Sequence, residues 1–420
     1  MTAVTQTAGR AARRDFGLLW AGQSLSLFGD QFMTLALPLL AVTVLGATPA
    51  QAALLPFAMF LPFLPLGLPA GAIVDRLPRR TVMLVCDGVQ VVSFGAIWVT
   101  AVTGVLSFPL LFALVLVSGC AVVFFQVAYT SYLPGLFPDP GELHTGNTRL
   151  ALSESSAKAV GPMAAGPLIG LLGVAGALLA NTLSFAASLV TLVAIRHREA
   201  PPAVTVRERG WVRRDVAAGL KFALGHPVLE PVIACGTVYV LFLSMVETSL
   251  VLYCRNVLGL SPQWIGIVVG AAAAGYPIGN LASAFLIRRL GSPRALMLAA
   301  TVSVLGIVAM PALGAAHGSL GAAGLAIGSI VHCVGEGAFS PISLTLRQTQ
   351  TPPELLGRVS AVQRFQLWGA VALGALLASV ATALAGLETT VWIGALGTIL
   401  CLPALLRRGI RTAVLTRAAR

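Results

Sequence analysis

Charged side chains are scarce in this sequence. They make up 10% of its 420 residues, against roughly 25% in a soluble domain. With 57% of residues apolar and a mean hydropathy of +0.89, too little polar surface exists to cover a water-soluble globule. Lipid is therefore the expected main solvent. Lysine is nearly absent, with only Lys158 and Lys221 among the 27 basic residues. The six cysteines (Cys86, Cys120, Cys235, Cys254, Cys333 and Cys401) stand singly in apolar runs, none at metal or redox spacing. They read as small buried filler, and no disulfide is implied. The sequence also lacks a Gly-x-x-x-x-Gly-Lys loop, a His-Glu-x-x-His pair, a Cys-x-x-Cys pair and a Gly-x-Ser-x-Gly elbow. These absences argue against nucleotide hydrolysis and against an enzyme. No cofactor and no metal site is expected. No aromatic box or basic ring selects a substrate class.

What is present is a series of long apolar runs. A spanning helix needs about 20 apolar residues, and twelve such runs are found, near 16–45, 51–74, 81–102, 109–132, 150–173, 175–195, 229–254, 262–287, 294–315, 319–346, 358–384 and 389–406. They are continuously apolar rather than alternating, which favours helices over a barrel. The fold class expected is an all-α membrane protein of twelve transmembrane helices in two six-helix halves.

A net charge of +12 invites a nucleic-acid reading, but the positions argue against it. All basic residues except Arg255 and Lys158 fall at the termini or in alternate loops, near 75–80, 139–149, 196–221, 288–294 and 347–364. This positive-inside bias predicts a multi-pass protein of the cytoplasmic (inner) membrane with both termini in the cytoplasm. The first 15 residues hold Arg10, Arg13 and Arg14, and the apolar run that follows is too long for a cleavable signal core. It is read as span 1, retained. The expected organisation is a cytoplasmic tail (1–15), a first half (16–195), a linker (196–227), a second half (228–406) and a basic tail (407–420). Within the linker, Asp215 is a candidate N-cap, and Val216, Leu220 and Leu224 repeat every fourth residue. That predicts a short amphipathic helix at the membrane surface, ended by Pro227.

The two halves repeat a pattern. Val44-Leu45-Gly46-Ala47-Thr48-Pro49 matches Val257-Leu258-Gly259-Leu260-Ser261-Pro262, and Arg76-Leu77 matches Arg289-Leu290. Pro49 to Pro262 and Arg76 to Arg289 are both offsets of 213 residues. A duplicated membrane unit with a basic loop at one fixed place implies a transporter built from two repeats.

Ionisable residues inside the spans then carry the chemistry. A charge at the bilayer centre costs between about 3 and about 15 kcal/mol, so each needs a reason. Asp30 lies in span 1, Glu247 in span 7, and His332 and Glu336 one turn apart in span 10. Asp30 maps by the offset to Leu243, one turn from Glu247. His332 and Glu336 face one side of their helix and can share a proton. Lys158 follows Glu154 at the favourable i,i+4 spacing and reads as structural. Gln126 and Asn181 read as interhelical glue or as ligands. In the 71–80 loop, Gly71 permits close helix contact. Asp75 can accept bonds at a helix N-terminus, and Arg76, Arg79 and Arg80 can bridge carboxylates as a cytoplasmic latch.

Gly71-x-x-x-Asp75-Arg76-x-x-Arg79-Arg80 resembles the loop 2–3 signature of the major facilitator superfamily, with Pro78 where that family usually has Gly. The stretch 284–294, with Arg288, Arg289 and Arg294, resembles its weaker echo, Arg288 replacing Asp. Gly161-Pro162-Met163-Ala164-Ala165-Gly166-Pro167 resembles the span-5 motif of the antiporter branches, Ala165 standing for one of its paired glycines. Gly22-Gln23 with Gly29-Asp30, His226-Pro227-Val228-Leu229, and Pro353-Glu354-Leu355-Leu356-Gly357-Arg358-Val359 resemble the twelve-span drug, macrolide and enterobactin exporters. The resemblance implies a central cavity lined by spans 1, 4, 7 and 10, the spans that hold Asp30, Gln126, Glu247, His332 and Glu336. It implies proton-coupled efflux of small amphipathic compounds by alternating access, with protons and a small molecule as partners, no nucleic acid, and a functional monomer. Proton symport or facilitated uptake is the alternative.

Overall fold

Backbone groups in hydrocarbon must be satisfied within their own segment, and continuous apolar runs therefore fold as helices. The structure, a computed structural model, describes residues 2–74, 76–137, 140–197, 199, 211–316, 318–407 and 410. Among these no strand occurs. The helices are α1 (Thr2–Thr43), α2 (Pro49–Phe60), α3 (Phe63–Val74), α4 (Arg79–Val102), α5 (Phe108–Leu136), α6 (Pro140–Ala194) and α7 (Trp211–Gly225). They continue with α8 (Leu229–Asn256), α9 (Pro262–Ala272), α10 (Gly275–Leu290), α11 (Ser292–Gly314), α12 (Gly318–Gln350), α13 (Pro353–Ala385) and α14 (Leu387–Gly397), then a 3₁₀ turn and α15 (Leu402–Leu405).

Eleven stretches among the described residues are long and apolar enough to cross a bilayer. One of them, Thr145–Ala194, has 50 residues and would reach about 75 Å if straight, far beyond a hydrocarbon core of about 30 Å. It breaks at Gly173, whose backbone (φ 69°, ψ 179°) is open essentially to glycine alone. The two arms of α6 are therefore spans 5 and 6, meeting where the sequence placed their junction, and the count is twelve. Spans 2 and 8 are each broken, between α2 and α3 and between α9 and α10. The breaks fall at 61–62 and 273–274, within a residue of the repeat offset.

Several boundaries differ from the sequence expectation. The segment read as a tail is helical from Thr2, since nothing before Asp15 breaks the periodicity. Most of the 139–149 loop is the first turns of α6. The 347–364 loop shrinks to 351–352, so Arg358 and Arg364 ride on α13. Helix α7 starts at Trp211, which puts Asp215 one turn inside it rather than at its N-cap. Leu220 and Leu224 on α7 are exposed, while Ala223 is buried with Leu229, Ile233 and Val359. A Cβ on Gly219 would press on the Arg358 backbone. The two exporter-like stretches at 226–229 and 353–359 thus meet under α7. His226 accepts the Val228 and Leu229 amides at Nδ1, both at 3.3 Å, and caps α8. Of the C-terminal tail only Arg407 and Ile410 are described; Arg407 pairs with Glu230. Cys235 and Cys401, single in sequence, bring their thiols within hydrogen-bonding reach, although all six cysteines are free.

The chain divides into two compact units, Met1–Ala47 with Ala58–Arg207, and Thr48–Phe57 with Glu208–Arg420.

Candidate functional site

Close helix approach in the first unit comes from glycine. A Cβ on Gly22 would strike Thr191, one on Gly29 would strike Ser184 and Asn181, and one on Gly161 would strike Gln31. Gly22 and Gly29, two turns apart on one face of α1, thus dock α1 onto the second arm of α6, and Gly161 docks the first arm beside Asp30. Pro162 and Pro167 lie within that first arm. Asn181 is fully buried at this contact, but its Nδ2 has no hydrogen-bond partner among the described residues, so no interhelical hydrogen bond of the expected kind is seen. Gln126 is instead exposed on α5, and Asp30 is partly buried. Glu154 and Lys158 pair at 2.9 Å on an exposed face of α6.

The same unit holds a carboxyl group that the sequence reading passed over. Asp87 on α4 is 2% exposed and lies close enough to Asp30 for like-charge repulsion. The Ser188 hydroxyl of α6 is within hydrogen-bonding reach of its carboxyl. One turn on, Gln90 accepts a hydrogen bond from Ser118 of α5. The available signal was a lone acid in the apolar run 81–102, seven residues past Arg80, the last of the arginines that made the 71–80 loop conspicuous.

The second unit assembles a longer polar chain. Ser303 Oγ lies 2.9 Å from His332 Nδ1, and Tyr239 OH lies 2.6 Å from Ser303 Oγ and 3.0 Å from His332 Nδ1. On the other side of the ring, His332 Nε2 faces Glu336 Oε2 at 3.5 Å. Tyr276 OH donates to that same oxygen at 2.9 Å. Four helices contribute: α8, α10, α11 and α12. Glycines again set the spacing. A Cβ on Gly335 would strike the Ser303 backbone, on Gly306 the His332 backbone, and on Gly337 the Tyr276 backbone. With backbones in contact, the short Ser303 hydroxyl reaches the imidazole and Tyr276 reaches Glu336. Glu247 is exposed and within electrostatic reach of Tyr239 and Tyr276.

This chain can hold a proton without rebuilding. His332 is 4% exposed, and the Glu336 side chain, at 26%, is its open end. The imidazole can carry a proton on Nε2, facing Glu336, while the two hydroxyls turn to serve Nδ1 as donors or acceptors. Gln90 and Ser303 are repeat equivalents, offset by 213 residues, and each bonds to the fourth span of its own half. From Ser118 the first half reaches only the Met59 sulfur, at 3.9 Å, among the described residues; the second continues through His332 to a carboxylate.

At the 71–80 loop of the first unit, Arg80 donates to the Leu192 and Val193 carbonyls at 3.0 and 2.8 Å, and its backbone amide donates to Glu199 at 3.0 Å. A cation at the end of α6 suits the helix dipole. Asp15, buried, accepts the amides of Arg196 and His197, and Arg13 pairs with Glu142. A Cβ on Gly71 would meet nothing within 4 Å, so close packing is not what this glycine supplies. Asp75 lies outside the described residues. Arg76 is exposed and Arg79 half-buried, as are, in the second copy, Arg288, Arg289 and Arg294 exposed; Arg289 lies over the Phe285 ring.

Comparison with known proteins bears on the whole chain. The family described as Major Facilitator Superfamily matches residues 19–372. An uncharacterized MFS-type transporter, YfiS of Bacillus subtilis, is 25% identical over 404 residues, covering 94% of this chain and 92% of the relative. The multidrug efflux pump Tap of Mycobacterium tuberculosis is 29% identical over 378 residues, covering 86% of this chain and 85% of that protein. Among solved structures, a bacterial homologue of the iron transporter ferroportin in an inward-facing state superposes with a TM-score of 0.76 at 16% identity, covering 94% of this chain and 98% of the other. The nucleoside transporter NupG does so at 0.74 and 12%, with the same coverage. At these identities the structural likeness shows the fold.

Proposed function

The chain belongs to the Major Facilitator Superfamily, and from that premise we propose that it is a proton-coupled antiporter exporting small amphipathic compounds. The observation that carries this reading is the Tyr239–Ser303–His332–Glu336–Tyr276 chain. It is a proton-holding group with one open end, placed in spans that are otherwise almost free of charge. Intramembrane ionisable residues of this kind mark ion or substrate pathways. The similarity to Tap supports export of drug-like molecules.

In the proposed cycle, substrate enters from the cytoplasm and competes with a proton for Asp30, assisted by Glu247 or Glu336. A proton arriving from outside displaces the substrate. The arginine-rich 71–80 loop gates the cytoplasmic side. The protein works as a monomer in the cytoplasmic membrane with both termini inside.

The test uses inverted vesicles from an efflux-deficient host, energised acid-inside, with a panel of lipophilic dyes and antibiotics. At least one probe accumulates, and its addition partly collapses the pH gradient. Asp30→Asn and Glu336→Gln insert normally but abolish the gradient-driven part. Accumulation that leaves the gradient untouched, or that persists fully in both variants, defeats the proposal. Accumulation only under the opposite gradient assigns uptake.

A further inference from the structure

The second basic loop has lost the acid of the first. By the 213-residue offset Arg288 stands where Asp75 does, and Arg289 where Arg76 does. Arg294 follows in the first turn of α11, so three cations gather where the backbone reverses at Gly291 (φ 74°, ψ 160°). All three are exposed. No aspartate or glutamate occurs between Glu247 and Glu336, and none of the three arginines is in an ion pair among the described residues. Arg80 of the first copy is by contrast spent on the Leu192 and Val193 carbonyls. A positive-inside role accounts for the sign of the charge but not for the loss of the acid. A cation in the first turn of a helix also opposes its dipole, so α11 itself does not favour Arg294 there.

Beside this cluster α10 presents an apolar stripe. Its small face is buried: a Cβ on Gly275 or Gly279 would strike the Ile330 or Val334 carbonyl of α12. Elsewhere on the helix Ile278, Leu281 and Phe285 are exposed, Leu281 at 81%. With Arg289 they follow one another at intervals of three or four residues, which is one face of a helix. Arg289 lies over the Phe285 ring, 5.6 Å from its centroid. Helix α10 closes a stretch, Pro262–Leu290, long and apolar enough to cross a bilayer, so its last turn comes where headgroups begin. Ile278 to Arg289 is about 16 Å along the axis, close to one leaflet of a hydrocarbon core about 30 Å thick. We infer that the stripe and the three arginines bind an anionic phospholipid. An acyl chain lies along Ile278, Leu281 and Phe285, and the phosphodiester is within reach of Arg288, Arg289 and Arg294. Guanidinium groups suit phosphate because they donate to its oxygens in pairs. A free phosphate would satisfy the same arginines but leave the stripe without a role. The site does not rest on the antiport reading.

Native mass spectrometry of the full chain in detergent tests the site, with phosphatidylglycerol or phosphatidylcholine of the same acyl chains added. The wild type retains phosphatidylglycerol in preference to phosphatidylcholine. Each arginine near a lipid surface contributes about fivefold in affinity. Arg288→Gln and Arg289→Gln together therefore weaken phosphatidylglycerol binding about 25-fold. Phe285→Ala weakens it too, since it removes part of the stripe and the ring under Arg289. Arg14→Gln with Arg149→Gln removes two exposed arginines of the first unit and leaves binding as in the wild type. If the first double variant does not insert, Arg294→Gln alone reads the site, with a loss of about fivefold. A wild type that does not prefer phosphatidylglycerol overturns the proposal. So does an equal loss in the two double variants, which would make the attraction a diffuse field. Displacement of the lipid by inorganic phosphate, at an ionic strength where chloride leaves it bound, overturns it as well and assigns a free-anion site.

Discussion

Gly173 and Gly386 stand 213 residues apart and share one unusual backbone geometry, φ 69° with ψ 179° and φ 84° with ψ 168°. Gly46 and Gly259, also 213 apart, match in the same way, at φ 63° and φ 67°. The repeat is thus written in the turns as well as in the basic loops. Both glycine pairs sit between spans: Gly173 and Gly386 are single-residue junctions, whereas Gly46 and Gly259 lie in five-residue connections.

Gly173→Ala and Gly386→Ala are expected to destabilise their own halves by about 1–3 kcal/mol each, the cost of forcing a Cβ into this region. No neighbour crowds either site, so the penalty is conformational. Thermal unfolding in detergent checks it: each variant lowers the midpoint, and an unchanged midpoint in both argues against the turn geometry.

Gly335→Ala tests the spacing that builds the second polar chain. A Cβ there meets the Ser303 backbone, and overpacking of this kind costs about 1–3 kcal/mol. The expected outcome is a folded but less stable protein with strongly reduced proton-coupled transport, because Ser303 leaves His332. Ser303→Ala removes the hydroxyl alone and should weaken coupling with a smaller loss of stability. Equal effects on stability and none on coupling would show that the contact is structural.

Arg80→Lys keeps the positive charge that orients the membrane topology but not the forked contact with two carbonyls. Its expected cost is about 1–2 kcal/mol, near the lower range for charge-assisted hydrogen bonds because the site is partly exposed. Proteolytic sensitivity of the loop after α6 should rise while cysteine-accessibility mapping of the topology stays unchanged. A flipped topology would assign Arg80 to insertion instead.

His226 caps α8 with a ring nitrogen that must stay unprotonated to accept, and burial lowers its pKa below the usual 6.5. A group more easily protonated when unfolded contributes stability that is full above pH 6.5 and lost as pH falls through the lowered folded value. Thermal midpoints of the wild type should therefore drop on acidification through that window. His226→Asn, which keeps a capping acceptor, should flatten this part of the profile. A parallel drop in wild type and variant would place the pH response elsewhere.

Hydropathy, the positive-inside arginines and the 213-residue repeat determined the spans and the duplication, because lipid imposes one solution on a continuously apolar run. The same local signals picked out Asp30, His332 and Glu336, each conspicuous as a charge in hydrocarbon. Asp87 was as conspicuous by type but sat just beyond an arginine-rich loop, where a charge looks interfacial; its near-complete burial is what distinguishes it. Only the tertiary structure joined Tyr239, Ser303, His332, Glu336 and Tyr276. These residues are spread over nearly a hundred positions and meet because glycines on α11 and α12 let three backbones touch. Periodicity along one helix reports which face is apolar, but not which neighbour that face meets or at what depth.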